Sequence, residues 1–130
     1  MKKIFLVLFS LLISFNSYGE WVLAACDTEC NKNGNKFYVD KDTIKKKNGH
    51  IYYWQLVDYH KPLGRFMSSV AFHEGDCSLN RHRKVSHKFY IKPMGNGKPI
   101  PAKIKTNEPW TYNSPDSVGI LIIKYACNAR

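Results

Sequence analysis

A secretory leader followed by four cysteines is the feature that most constrains how this chain folds. The leader pattern combines Lys2 and Lys3, a short apolar run over 4–15 and small residues just before the end of the segment. This pattern is typical of a signal peptide cleaved after Gly19, and the apolar run is too short to span a bilayer. We therefore expect residues 20–130 to fold in an oxidising compartment, where cysteines pair as disulfides.

The mature part has the size of one small domain and a strongly basic charge. Without the leader the chain keeps 111 of its 130 residues, and without the two leader lysines its formal net charge falls from +10 to +8. A single domain of this length buries about two thirds of its unfolded surface. A basic exported domain attracts anionic partners such as lipid headgroups, sulfated glycans or acidic proteins, although the same lysines also keep a protein soluble.

The sequence pattern predicts mainly β-strands over most of the mature chain. Runs of alternating, β-branched or aromatic residues occupy 50–59, 65–74 and 81–91, and Asn48-Gly49 is a strong hairpin signal. From Ser114-Pro115-Asp116 onward the period becomes helical, with one apolar stripe formed by Val118, Leu121, Ile122 and Tyr125. We expect an α+β domain in which one C-terminal helix packs on an antiparallel sheet of about six strands.

The four cysteines permit three pairings. The predicted geometry favours Cys26–Cys30, which closes a short loop, and Cys77–Cys127, which joins the helix end to the sheet. In the chain-entropy model the long loop contributes about 4 kcal/mol and the short one about 2 kcal/mol. A zinc site would need a second close cysteine pair, and a thioredoxin-type redox centre would need a C-x-x-C spacing.

Lipidation of Cys26 is the alternative use of the first cysteine. Residues 23–26, Leu-Ala-Ala-Cys, match a bacterial lipobox. Two observations argue against it: Glu20 and Trp21 separate the apolar core from the box, and lipidation would leave Cys30 without its partner.

The densest basic cluster covers 81–84, with Lys88 nearby. Strand alternation places His82, Lys84 and Lys88 on one face, which makes them candidates for binding a polyanion beside Tyr90. The alternative is an ordinary solvated strand face.

No catalytic or cofactor motif is present in the sequence. The histidines at 50, 60, 73, 82 and 87 lack metal-ligand spacing, so we predict no metal site, with a metal or haem held between distant strands as the alternative. Neither a nucleophile motif nor a paired-carboxylate motif occurs, and we expect no enzymatic activity and no cofactor.

From about residue 37 to 127 the chain resembles the surface-adhesin protein E family of Gram-negative bacteria. The resemblance lies in short pieces in the same order and spacing, namely Phe37-Tyr38-Val39-Asp40, Asp42-Thr43-Ile44, Trp54, Leu56, Asp58-Tyr59, Ser69, Asp76-Cys77, Arg81-x-Arg83, Trp110, Pro115-x-Ser117 and Cys127. It implies a six-stranded antiparallel sheet with a C-terminal helix fixed by a disulfide, here Cys77–Cys127. The pair Cys26 and Cys30 is an addition to the family pattern.

The resemblance also implies a function. The family includes a surface lipoprotein that binds host matrix and plasma proteins and has been linked to haem. We expect a non-enzymatic binding protein of the periplasm or cell surface, with host matrix or plasma proteins or anionic glycans as partners and no specific nucleic acid. The alternatives are a periplasmic structural or envelope-stress protein and a small-ligand carrier for haem or lipid.

Overall fold

The computed structural model describes residues 19–28, 30, 32–103 and 108–129, which form one antiparallel sheet and one α-helix. The elements are β1 Trp21–Cys26, β2 Lys36–Asp40, β3 Lys45–Lys47, β4 His50–Leu63, β5 Phe66–Asp76, β6 Arg81–Tyr90, β7 Ile100–Pro101, β8 Thr111–Tyr112 and α1 Val118–Asn128. The main path of the sheet is β1-β2-β4-β5-β6-β7, while β3 pairs with β4 and β8 with β6. The predicted leader, apart from Gly19, lies outside the described residues.

The predicted α+β fold is confirmed, but α1 begins later than its sequence signals indicate. The N-cap is Ser117, whose hydroxyl oxygen accepts a hydrogen bond from the Ile120 amide at 3.2 Å. Ser114, where the helical pattern of the sequence begins, instead accepts hydrogen bonds through its carbonyl from the Ser117 amide and hydroxyl. Residues 114–117 therefore form a turn that leads into the helix, and Pro115 lies outside α1.

One face of the sheet packs against α1. Ile122 and Ala126 of the helix are buried in a cluster with residues from β1, β2 and β4, namely Ala25, Val39, Ile51 and Tyr53. Ile120 and Ile123 are also buried, whereas Leu121, which the sequence pattern placed on the apolar stripe, is 52% exposed. The β-branched residues form the contact surface, and tertiary burial stabilises a segment with weak intrinsic helix propensity.

The opposite face carries a second, smaller core formed by Leu56, Val70 and Tyr90. A short 3-10 turn, Pro93–Gly95, covers part of it. Asp58 Oδ1 accepts the Met94 amide at 2.9 Å, and Ser68 Oγ accepts the Gly95 amide at 2.8 Å. This turn closes one end of the face.

Gly95 allows the turn to approach the core. Its φ is +66°, and an added Cβ would lie 3.1 Å from Leu56 Cδ1 and 3.2 Å from Val70 Cγ2. We expect Gly95→Ala to lower the free energy of unfolding by about 2–3 kcal/mol, since backbone strain and crowding add. Gly64→Ala is the matched control, because Gly64 has a φ of +62° with nothing within 4 Å of an added Cβ, and should cost about 1 kcal/mol. Equal losses in urea denaturation would contradict the close approach.

Both disulfides link the cysteines that the predicted geometry favoured. Cys77, directly after β5, is bonded to Cys127 in the last turn of α1, and Cys26 at the end of β1 is bonded to Cys30. Cleavage immediately before Cys26, which lipidation requires, would remove residues 21–25. That segment is nearly the whole of β1 and includes the buried Ala25.

Candidate functional site

We call the sheet surface opposite α1 the open face. Paired residues on neighbouring strands share a face, so the strand register defines rows of side chains across it. Three rows lie beyond the Pro93–Gly95 turn. They are Lys47–His50–Asp76–Arg81, Lys45–Tyr52–Glu74–Arg83 and Trp54–Phe72–Ser86.

Three half-buried aromatic side chains, Tyr52, Trp54 and Phe72, form the centre of these rows. The Phe72 ring stacks on Tyr52 with centroids 6.1 Å apart and lies 4.8 Å from Trp54. Lys88 Nζ lies 5.8 Å from the Trp54 ring centroid, within reach of a cation–π contact. We define the aromatic–basic patch as these residues together with the flanking cations, that is Tyr52, Trp54, Phe72, Lys45, Lys47, Arg83 and Lys88.

Glu74 is one of the two acidic groups within these rows, and it is buried and hydrogen-bonded. Its carboxylate accepts hydrogen bonds from Arg83 Nε at 2.8 Å and from the Tyr52 hydroxyl at 3.3 Å, and lies 2.7 Å from His50 Nδ1. Burial raises the pKa of Glu74, but the hydrogen bonds from His50, Arg83 and Tyr52 together lower it below the ordinary value. The carboxylate thus orients Arg83 while contributing little exposed negative surface.

Asp76 has a similar role one row further along. Its carboxylate accepts hydrogen bonds from the Ser78 hydroxyl at 2.7 Å and from Arg81 Nε at 2.9 Å. The Ser78 hydrogen bond is the largest cause that lowers the pKa of Asp76 to about 2, with Arg81 and two backbone amides adding to it. Asp76 therefore stays ionised and holds Arg81 on the open face.

Trp110 extends the patch along β6. The guanidinium carbons of Arg81 and Arg83 each lie 4.3 Å from the Trp110 ring centroid, and His50 meets the same ring edge-on at 5.5 Å. Arg81 also donates a hydrogen bond to the Tyr112 hydroxyl at 3.1 Å. Each of the two arginines is held by a carboxylate and by the Trp110 ring. This preorganisation reduces the entropy that the side chains lose on binding.

The structure does not bring His82, Lys84 and Lys88 together, contrary to the strand alternation that predicted one face. Phe72 pairs with Ser86 while His73 pairs with Lys84, so Val85 is an additional residue in β6. This β-bulge shifts the alternation by one position. His82 and Lys84 consequently lie on the α1 side, whereas Lys88 lies on the open face.

The sequence pattern predicted the hairpin turn at Asn48-Gly49 but did not place Lys45 and Lys47 in a site. Their place follows from the two-residue turn at Asn48-Gly49, which pairs Lys47 with His50 and Lys45 with Tyr52. Counting back across that turn would have placed both lysines beside the aromatic side of β4. The register between β3 and β4 was therefore the information needed to place them.

On the α1 side of the sheet, His73 is buried without a polar partner. It is 2% exposed, and within the described residues neither ring nitrogen has a hydrogen-bond partner. The Tyr53 ring stacks on it at 5.3 Å and the His82 ring lies at 5.2 Å. Burial is the largest cause that lowers the pKa of His73 well below its ordinary value, and the basic groups His82, Lys84 and His87 act in the same direction.

The described part of the chain contains neither a metal-binding cluster nor a membrane-spanning helix. Among residues 19–28, 30, 32–103 and 108–129, no three His, Cys, Asp or Glu side chains are grouped so as to hold a metal ion. Within these ranges no helix has the length and apolar character needed to cross a membrane.

The fold and the patch define a small α+β binding domain with a basic, aromatic sheet face on the side opposite α1. A family model described as "Surface-adhesin protein E" matches residues 21–128. The chain belongs to the surface-adhesin protein E family. In general terms, the members of this family are exported surface proteins with a binding function. The match extends the sequence resemblance from residue 37 back to the start of β1.

Solved structures of Haemophilus influenzae protein E share this fold. One, in crystal form II, has a TM-score of 0.61 at 19% identity and covers 84% of this chain and 96% of that chain. A second has a TM-score of 0.63 at 19% identity, with 82% and 83% covered. The comparison with curated proteins gives no match.

Proposed function

We propose that this chain is a non-enzymatic cell-surface binding protein whose aromatic–basic patch binds anionic extracellular macromolecules. The host partners that we consider are acidic regions of matrix or plasma proteins and sulfated glycans. The observation that carries the proposal is the patch itself, where Lys45, Lys47, Arg83 and Lys88 surround three half-buried aromatic rings. Family membership supports an adhesive role for the whole domain.

The charge distribution supports an anionic partner over a neutral one. Within the three rows, Glu74 and Asp76 are buried and engaged by arginines, so the side chains that remain at the surface are mainly lysines and aromatic rings. Lysine rims raise the local concentration of anions and speed their encounter, while aromatic faces contribute contact area. Arg and aromatic residues are also the side chains that most often carry binding energy at interfaces.

Charge reversal on β3 tests the proposal. We expect Lys45→Glu/Lys47→Glu to weaken binding to immobilised heparin, or to an acidic host protein, roughly ten-fold at low salt. The difference from wild type should shrink as ionic strength rises, because exposed charges are screened. Surface plasmon resonance over a salt series measures both effects.

The matched control is Lys46→Glu/Lys84→Glu, which changes the net charge by the same amount on the α1 side of the sheet. Lys46 lies between the two test lysines and pairs with Ile51, while Lys84 pairs with His73. The control should retain most of the binding. Equal losses in both variants would indicate attraction by net charge alone and contradict the patch, and a larger loss in the control would favour the β6 cluster around His82 and Lys84.

We also propose that Cys26 of the mature protein is disulfide-bonded rather than lipidated. The support is the pairing with Cys30 and the place of residues 21–25 in the sheet. A lipidated protein beginning at Cys26 would lack nearly all of β1, and β2 would become the edge of the sheet. An adhesin of this type would need another means of attachment to the cell surface.

A further inference from the structure

The start of β1 lies on two carboxylates at the end of β2. The Gly19 amide donates a hydrogen bond to Asp40 Oδ2 at 2.7 Å, and the Glu20 amide donates one to Asp42 Oδ2 at 3.2 Å. Asp40 is completely buried, with an exposure of 0%, and its other oxygen accepts the Asp42 amide at 3.1 Å. Two consecutive backbone nitrogens are thus bound by two acidic side chains.

The fit at position 19 is tight. A Cβ added to Gly19 would lie 2.8 Å from Asp40 Oδ1, from Asp42 Cβ and from Asp42 Oδ2. Backbone alone therefore fits between the two side chains, which places the carboxylates directly at the bond between Gly19 and Glu20. This is the bond at which the sequence predicts the leader to be cleaved.

We infer that Asp40 and Asp42 form a binding site for the α-ammonium group that cleavage creates on Glu20. Removal of Gly19 takes away the donor to Asp40 Oδ2, and a buried carboxylate oxygen without a donor is costly. Cleavage also converts the Glu20 amide, already 3.2 Å from Asp42 Oδ2, into a cation with three N–H donors. The new group supplies both the charge and the hydrogen bond that the buried carboxylate loses.

Contacts beyond the two carboxylates hold Glu20 in position. Its carbonyl accepts the Lys41 amide at 3.3 Å, and its side chain forms an ion pair with Lys41 Nζ at 3.2 Å. The next residue, Trp21, pairs with Asp40 in the sheet. The nitrogen of Glu20 therefore stays beside the carboxylates after the leader has left. The inference rests on the predicted cleavage site and is independent of the proposed binding function.

The experiment uses the full chain, expressed with its leader in a Gram-negative host and purified after export. Intact mass should give a chain that begins at Glu20. The pKa of the α-amino group is then measured from the pH dependence of its acylation, followed on the N-terminal peptide by mass spectrometry. We expect that pKa to lie above the ordinary range of roughly 7.7–8.0, by roughly half a pH unit or more, because two carboxylates favour the charged form.

Asp42→Asn should return the α-amino pKa toward the ordinary range, and because Asp42 is exposed this variant should still fold. Asp116→Asn is the control, since Asp116 is an exposed acid in the turn before α1. A raised pKa also predicts stability that is present below about pH 8 and lost as pH rises through the folded-state pKa. A chain that begins at another residue, including a lipidated Cys26, would overturn the inference, as would an α-amino pKa that Asp42→Asn leaves unchanged.

Discussion

Replacing Cys77 and Cys127 together with alanine should lower the free energy of unfolding by about 4 kcal/mol. The bond closes the longer of the two disulfide loops, with a sequence separation of 50. Small domains are stable by only about 5–15 kcal/mol, so this loss is a large share of the total. Chemical denaturation of the oxidised wild type and the double variant measures the difference.

The helix should respond more than the sheet. The eleven residues of α1 contain a β-branched run and would be marginal as an isolated helix. Without the bond to Cys77, the C-terminal end of α1 loses its covalent link to the sheet. Hydrogen exchange should therefore accelerate in the amides of α1 before it does so in β4 and β5.

Cys26→Ala/Cys30→Ala is the matched control for this prediction. Its loop has a sequence separation of 4, and the chain-entropy model gives about 2 kcal/mol for it. If the double variant at Cys77 and Cys127 lost no more stability than this control, the bond would not be the tether that the fold implies.

Acid should destabilise the protein from about pH 6.5 downward, well above the range in which carboxylates titrate. His73 is buried without hydrogen-bond partners, and its pKa in the folded state lies well below the ordinary value. The unfolded chain therefore binds a proton that the folded chain does not, and stability falls as pH falls below the unfolded-state pKa. Between pH 6.5 and 5 the loss from His73 is at most about 2 kcal/mol, the value reached when the folded chain binds no proton there.

The groups around His73 all disfavour its protonated form. The charged groups that act on it are His82, Lys84 and His87 of β6, all of them basic, and the stacked ring on β4 is Tyr53. Burial is also the first cause that lowers the pKa of His82 and that lowers the pKa of His87 to about 4. Both histidines add to the same loss in the same direction.

His73→Phe tests this account because it keeps an aromatic ring and removes the titration. The variant should retain more of its pH 7 stability at pH 5 than the wild type does, by up to about 2 kcal/mol. His60→Asn is the matched control, since it removes an exposed histidine of β4. The lowered pKa values of Glu74 and Asp76 act in a separate window, because their stabilisation is lost only below about pH 4.5. An unchanged slope in His73→Phe would contradict the proposed cause.

Local pattern was enough to predict the class of fold. The alternation in 50–59, the Asn48-Gly49 turn and the helical period near the C-terminus each depend on neighbouring residues, which a sequence displays directly. The predicted geometry also favoured the pairing of Cys77 with Cys127, because this disulfide joins the end of the predicted helix to the sheet. The predicted start of α1 was wrong by three residues. Ser114 and Ser117 can both serve as an N-cap, and only their hydrogen bonds distinguish them.

The candidate site depended on information that neighbours in sequence do not carry. The bulge at Val85 separates Lys84 from Lys88, and no local signal distinguishes it from a regular strand residue. The lysines at 45 and 47 become part of a surface only through their register with β4. Trp110 joins the patch because the strand that follows it, β8, pairs with β6 and brings the ring beside Arg81 and Arg83.

By itself, the sequence predicted an exported α+β protein with two cysteine pairs and a surplus of positive charge. These properties depend on composition and short-range periodicity, which persist whatever the tertiary contacts are. Only the tertiary structure decided which cations share a face, which acids are buried against arginines, and where β1 begins. Each of those outcomes depends on strand register and burial, which arise when residues distant in the chain pack together.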